Sequence, residues 1–209
     1  AVHIAVAAFA AQTQHGLDAL AFEFARDLKE VFEHRGQTVQ GRPPTLVVDS
    51  LTLQIDMAAR KAQWLYGKEA LTKPIPLSLN AIVKAYDQQN KSIVQRSIDL
   101  PTFMAELYQA WQELLAKRQK APAGKRINIV EMYSQVTLNR QTPRFWNSPA
   151  RSNFKDYERA HFVRDLVLAH AAPTITVNGA TQHLRLGVAT KSQADSPARS
   201  IWIPQSALD

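Results

Sequence analysis

The chain has 209 residues, 45% of them hydrophobic and 21% charged, which is the composition of a folded protein with a real core and excludes a disordered chain. It contains no cysteine, so disulfides, thiolate metal sites and a cysteine nucleophile are excluded, and a reducing, cytoplasmic setting is expected. A formal charge of +7 on a folded surface attracts nucleic acid or acidic partners without specifying which.

Taken in order, the elements predict a mixed α/β (α+β) fold: an N-terminal βαβ-like unit, central helices, then a C-terminal basic helix with a β-hairpin or small sheet. Val2, Ile4 and Val6 alternate with smaller or polar residues and read as a buried strand. The apolar opening, residues 1–11, is too short to span a bilayer, so no membrane partner is expected. Apolar residues at 17, 20, 21, 24, 28, 31 and 32 then recur at helical spacing, and Gly36 marks the stop. Thr45–Asp49 reads as a second strand, which completes strand, helix, strand. Asp49 at its end is either a ligand-facing carboxylate, as at strand ends of α/β enzymes, or a helix cap or turn residue at Asp49-Ser50. No glycine-rich phosphate loop accompanies it.

Residues 50–70 are predicted helical, with Leu53, Met57, Trp64 and Leu65 toward the core, and a second helix covers about 78–89. Asp99-Leu-Pro-Thr102 is a helix start, and the helix to about 119 places Phe103, Leu107, Trp111, Leu114 and Leu115 on one stripe. The Pro/Gly/basic run 121–126 is the best boundary, dividing 1–120 from a basic helix and hairpin region, 121–209, unless the whole is one continuous domain. Residues 127–138 read as a strand or a bulged strand. A helix is expected at about 156–170, then a hairpin over 174–188 centred on Asn178-Gly179, and a third strand at 201–203.

The densest chemical signal is the stretch from Arg140 to Arg164. Cations at 140, 144, 151, 155, 159 and 164 interleave with rings at 145, 146, 154, 157 and 162, against Asp156, Glu158 and, just beyond, Asp165. Cations meet phosphates and flat rings stack on bases, so this pattern points to a polyanion-binding surface. The expected contact set is Arg140, Arg144, Arg151, Lys155, Arg159 and Arg164, extended by Lys125, Arg126 and Arg199, with Phe145, Trp146 and Tyr157 as stacking rings. The hairpin beside helix 156–170 would then act as the wing of a winged-helix-like reader. An identical pentapeptide recurs as Ser148-Pro-Ala-Arg-Ser152 and Ser196-Pro-Ala-Arg-Ser200: either a two-point phosphate grip or ordinary loop chemistry met twice.

His161 and Asp165 stand at i, i+4 and form either a base and its orienting acid or an ordinary surface pair. No motif with metal-ligand spacing and no serine-nucleophile elbow occurs, so neither metal nor cofactor is expected. The reading is a non-enzymatic nucleic-acid-binding protein, DNA or RNA, working as a subunit of a larger nucleoprotein assembly. Its alternatives are a scaffold protein that binds an acidic protein partner, and an α/β enzyme with its site near Asp49.

Overall fold

A computed structural model describes residues 2–120, 122–177 and 179–204, with side chains from residue 10 onward apart from 123. The fold is mixed α/β, and it divides into two compact units, residues 1–95 and 96–209. The division falls at Gln95/Arg96, which places the 121–126 segment inside the second unit.

The first unit opens with one long helix, α1 (Val2–His34), in place of the expected strand and shorter helix. Its opening is alanine-rich, the composition that helices favour most, and the alternation of three β-branched residues does not override it. Ala21, Ala25, Leu28 and Phe32 recur at three and four residues and form its buried face. The helix stops at Gly36, whose φ of +80° suits the left-handed conformation that closes helices.

An antiparallel sheet follows: β1 (Val39–Arg42), β2 (Thr45–Val48), β3 (Leu51–Asp56), β4 (Lys61–Tyr66), and the short β5 (Glu69–Ala70) and β6 (Ile75–Pro76), both paired with β4. The expected βαβ-like unit is thereby corrected: its first strand is part of α1, and the strands that follow are consecutive, joined by tight turns and paired antiparallel. The predicted helix 50–70 is likewise the β3–β4 hairpin. Leu51, Leu53 and Ile55 alternate with half-buried or exposed residues, and Trp64 lies opposite Leu53 in the register. Helix α2 (Leu79–Gln89), capped by the Ser78 side chain, runs on into a π-helical turn at Asn90–Val94. Phe32, Trp64 and Tyr86 meet edge to face or tilted at 5.0 to 6.1 Å in the core, and the Trp64 indole N–H donates to the Ile82 carbonyl.

Asp49 occupies the two-residue β2–β3 turn with a φ of +51°. One of its carboxylate oxygens accepts from the Thr38 amide at 3.0 Å and the other from the Tyr86 hydroxyl at 2.6 Å. The carboxylate therefore holds the turn to α2. This is the turn-residue alternative.

The second unit packs α3 (Leu100–Ala116), α4 (Ile129–Asn139), the one-turn α5 (Pro143–Asn147) and α6 (Arg159–Ala171), followed by the hairpin of β7 (Thr174–Val177) and β8 (Ala180–His183) and the short α7 (Lys191–Ala194). Asp99 caps α3, its side chain accepting from the Thr102 amide. The predicted strand 127–138 is α4, started by the Asn128 side chain on the Val130 amide and buried through Met132 and Val136. Asn178, the expected hairpin centre, lies outside the described residues. Ile201 and Ile203 form no strand but pack against the core of Phe103, Leu107, Met132, Val136, Phe162 and Leu166. Among the described residues no helix is long and apolar enough to cross a membrane.

Candidate nucleic-acid interface

Helix α6 was the expected basic reading helix, and its burial corrects that expectation. Ala160, Phe162, Val163, Asp165, Leu166, Val167 and Ala169 are all buried, so α6 is the central core helix of its unit and offers no long free face to a nucleic-acid groove. Arg159 at its start donates to the carbonyls of Pro197 and Ser200, both at 2.7 Å, which assigns its guanidinium to the second copy of the repeated pentapeptide. Arg164 is half-buried and engaged within the protein. The two pentapeptides also turn differently. In the first, the Asn153 amide N–H bonds back to Ala150, while in the second Arg199 and Ser200 bond back to Ser196. A matched two-point grip does not form.

Two further members of the expected contact set are half-buried and engaged within the protein. Arg140 donates through Nε and one terminal nitrogen to both carboxylate oxygens of Glu106 on α3, at 2.5 to 3.1 Å, and its guanidinium carbon lies 3.8 Å from the centroid of the Tyr157 ring. Tyr157 in turn donates its hydroxyl to Asp165 at 2.6 Å, and Arg96 forms an ion pair with the other oxygen of that carboxylate. With one face under a guanidinium, Tyr157 is not a free stacking ring, and Arg140 is not a free phosphate ligand. Burial is the main influence on the ionisation of both hydrogen-bonded groups. It pushes the Tyr157 phenol above its ordinary range, and it pushes the Asp165 carboxyl up although Tyr157, Arg96, Arg140 and His161 each pull it down. His161 Nδ1 faces Glu158 at 3.7 Å, while the two Asp165 oxygens are taken by Arg96 and Tyr157, so the base-and-acid alternative for His161 and Asp165 is not assembled.

Arg140 and Tyr157 instead close the neck of a surface loop. Beside them, the side-chain amide of Gln141, only 7% exposed, donates to the Lys155 carbonyl at 2.9 Å and accepts from the Lys155 amide at 2.8 Å, much as a neighbouring strand would. Its nitrogen also donates to the Thr137 carbonyl at 2.8 Å. Residues 140 and 141 are thus clamped onto 157 and 155, and the chain between them forms a closed loop of the Ω type. It is stiffened from within. Phe145 packs edge-on against Trp146 at 5.2 Å and against Phe154 at 5.5 Å, and the Asn153 side chain donates to the Ser148 carbonyl.

From Gln141 to Lys155 the sequence holds Arg144, Arg151 and Lys155 and no acid. All three cations are exposed and form no ion pair among the described residues, and Trp146 is 56% exposed. Phe145 is half-buried as the loop's own filling. The loop therefore brings together Arg144, Trp146, Arg151 and Lys155 on a scaffold that fixes their origin. An open groove of about 620 Å3 lined by Tyr133, Leu138, Phe154 and the acids Asp156 and Glu158 bounds it on one side.

The remaining cations form a second group at the other end of α4. Lys125 and Arg126 are exposed on the turn before Asn128, and the Asn128 side chain donates to the Arg199 carbonyl at 2.9 Å. The 11 residues of α4 separate the two groups by about 16 Å along the helix axis. Glu131, paired with Arg118 at 2.7 Å, lies on the helix between them, so the cations form two patches and not one strip. Among the described residues no group of three or more His, Asp or Glu is placed to hold a metal. No protein-family model, curated protein or solved structure matches the chain.

Gln141→Ala is expected to open the neck. It removes three buried or half-buried hydrogen bonds at about 1 kcal/mol each, less what water returns to Lys155, for a net loss of about 2 kcal/mol. Trypsin reads this directly, because Arg144, Arg151 and Lys155 are cleavage sites within the loop. Faster cleavage at those three bonds in the variant is the expected result, and cleavage at the native rate would show that the clamp does not hold the loop.

Proposed function

We propose that the protein is a non-enzymatic nucleic-acid-binding protein that works within a larger nucleoprotein assembly, with the loop 142–155 as its contact surface. The observation that carries this reading is the loop itself: an acid-free segment with three exposed, unpaired cations and an exposed indole, closed at its neck by Gln141 and Arg140. A flexible basic segment would lose conformational entropy on binding. This one is ordered beforehand, which favours a specific contact over diffuse charge attraction. Lys125, Arg126 and Arg199 supply a second, separate set of phosphate contacts for a ligand long enough to pass α4.

Binding of a fluorescein-labelled oligonucleotide, followed by anisotropy over a series of salt concentrations, tests the reading. The affinity is expected to fall log-linearly with salt, as counterions released from the phosphates demand. Absence of binding at low salt, or an affinity indifferent to salt, would overturn it.

A further inference from the structure

We infer that the loop takes unpaired nucleic acid, with Trp146 stacking on an exposed base while Arg144, Arg151 and Lys155 meet the phosphates on either side of it. This inference rests on the nucleic-acid reading above and narrows its ligand.

Of the four aromatic rings at 145, 146, 154 and 157, one is left open. Phe145 is held between Trp146 and Phe154, Phe154 is half-buried against Phe145, and Tyr157 lies under the Arg140 guanidinium. Trp146 touches Phe145 at an interplanar angle of 76°, an edge contact that covers only part of the indole, and more than half of the residue remains exposed. An open indole face can receive a base whose own face is free. In a duplex both faces of every base are already stacked, so the same contact would first require a base step to be wedged apart. An unpaired base needs no such opening, and because every base has a π face the contact tolerates any sequence.

Among the described residues, the unit shows at this site none of the elements that a duplex reader uses. Helix α5 is 5 residues long, too short to lie along a major groove, and α6, the only helix that follows the loop directly, is buried. Three cations on one compact loop match a few consecutive phosphates of a single strand, for which the slope of log K against log salt is about −0.7 per contact, or about −2 for the loop alone.

The test compares a labelled oligothymidylate with a duplex of the same length on the full chain and two variants. Trp146→Leu keeps an apolar side chain against Phe145 but has no face to stack, whereas Trp146→Phe keeps a smaller ring. The expected result is tighter binding of the single strand, a loss of roughly 5- to 100-fold for it in Trp146→Leu, substantial retention in Trp146→Phe, and little change in whatever duplex binding there is. Equal or tighter duplex binding, or an unchanged single-strand affinity in Trp146→Leu, would overturn the inference while salt-dependent binding by the loop still stood. Failure to bind either probe at low salt would overturn the nucleic-acid reading as well.

Discussion

Asp165→Ala is expected to destabilise the second unit by about 3 kcal/mol, the largest single loss of stability foreseen for any residue near the loop. The carboxylate is 1% exposed and joins Tyr157, which follows the loop, to Arg96, where the unit begins. Removing it leaves a half-buried phenol without its acceptor and a guanidinium without its counter-ion. Truncating one member of a buried pair costs about 3–5 kcal/mol, and the lower end applies because the Arg96 side chain keeps 31% of its surface in contact with water. Hydrogen exchange of the α3 and α6 amides in the full chain measures the effect. A variant whose core amides exchange as slowly as the native ones would contradict the assignment.

The acidity of Asp165 adds a direction to this. Its carboxyl is held above the ordinary range, chiefly by burial, so the folded protein retains the proton at a pH where the unfolded chain has released it. The stability this group contributes is present below the ordinary carboxylate range and is lost as pH rises through the raised value. In Asp165→Asn the amide resembles the protonated acid but cannot titrate. The native protein should therefore gain stability relative to Asp165→Asn as pH falls from neutral into the acid range, and a native protein that loses stability relative to the variant on acidification would contradict the sign.

Neutralising the loop with Arg144→Gln, Arg151→Gln and Lys155→Gln together is expected to lower affinity for a single-stranded oligonucleotide by about 100-fold near 0.1 M salt. Each phosphate contact on a single strand contributes about 0.7 to the salt exponent, which near 0.1 M salt is a factor of about 5, and three such factors multiply to about 100. All three side chains are exposed and lack ion pairs among the described residues, so the fold should be indifferent to the change. Arg140→Gln provides the contrast. Its guanidinium is bound to Glu106 and stacked on Tyr157, so that substitution should loosen the neck and lower stability.

The sequence made some of this legible. Helix 78–89 and the helix after Asp99 follow from periodicity and capping, and both stand within two or three residues of their expected ends. The hairpin at 174 is also where it was expected, although its ladder ends at His183. The errors share a cause. In 50–70 the spacing of Leu53, Met57 and Trp64 suggested a helix, while Leu51, Leu53 and Ile55, and again Ala62, Trp64 and Tyr66, kept the period of two that the sheet uses. Ile127 and Ile129 suggested a strand where the Asn128 cap and the Met132, Val136 spacing start a helix.

The candidate site was legible as a stretch but not as an arrangement. Composition located the cations and rings of 140–164, yet it had no means to separate those that build the loop from those the loop displays. Arg140 and Tyr157 are in the first group because Glu106 and Asp165, both distant in sequence from Arg140, come to meet them. Gln141 gave no signal, since a lone glutamine before Thr-Pro has no pattern to read. Asp165 did carry one: it falls on the same helical stripe as Phe162, Leu166 and Ala169, where an acid must be buried and therefore partnered.

Hydroxyl-radical footprinting of the full chain with and without saturating oligothymidylate too short to pass α4 tests the central claim most directly. Trp146 and Trp202 are both exposed indoles, at 56% and 51%, and serve as each other's comparison in one experiment. Protection of Trp146 with Trp202 still oxidised is the predicted result. Oxidation of Trp146 at an undiminished rate while oligonucleotide is bound would place the contact elsewhere and contradict it.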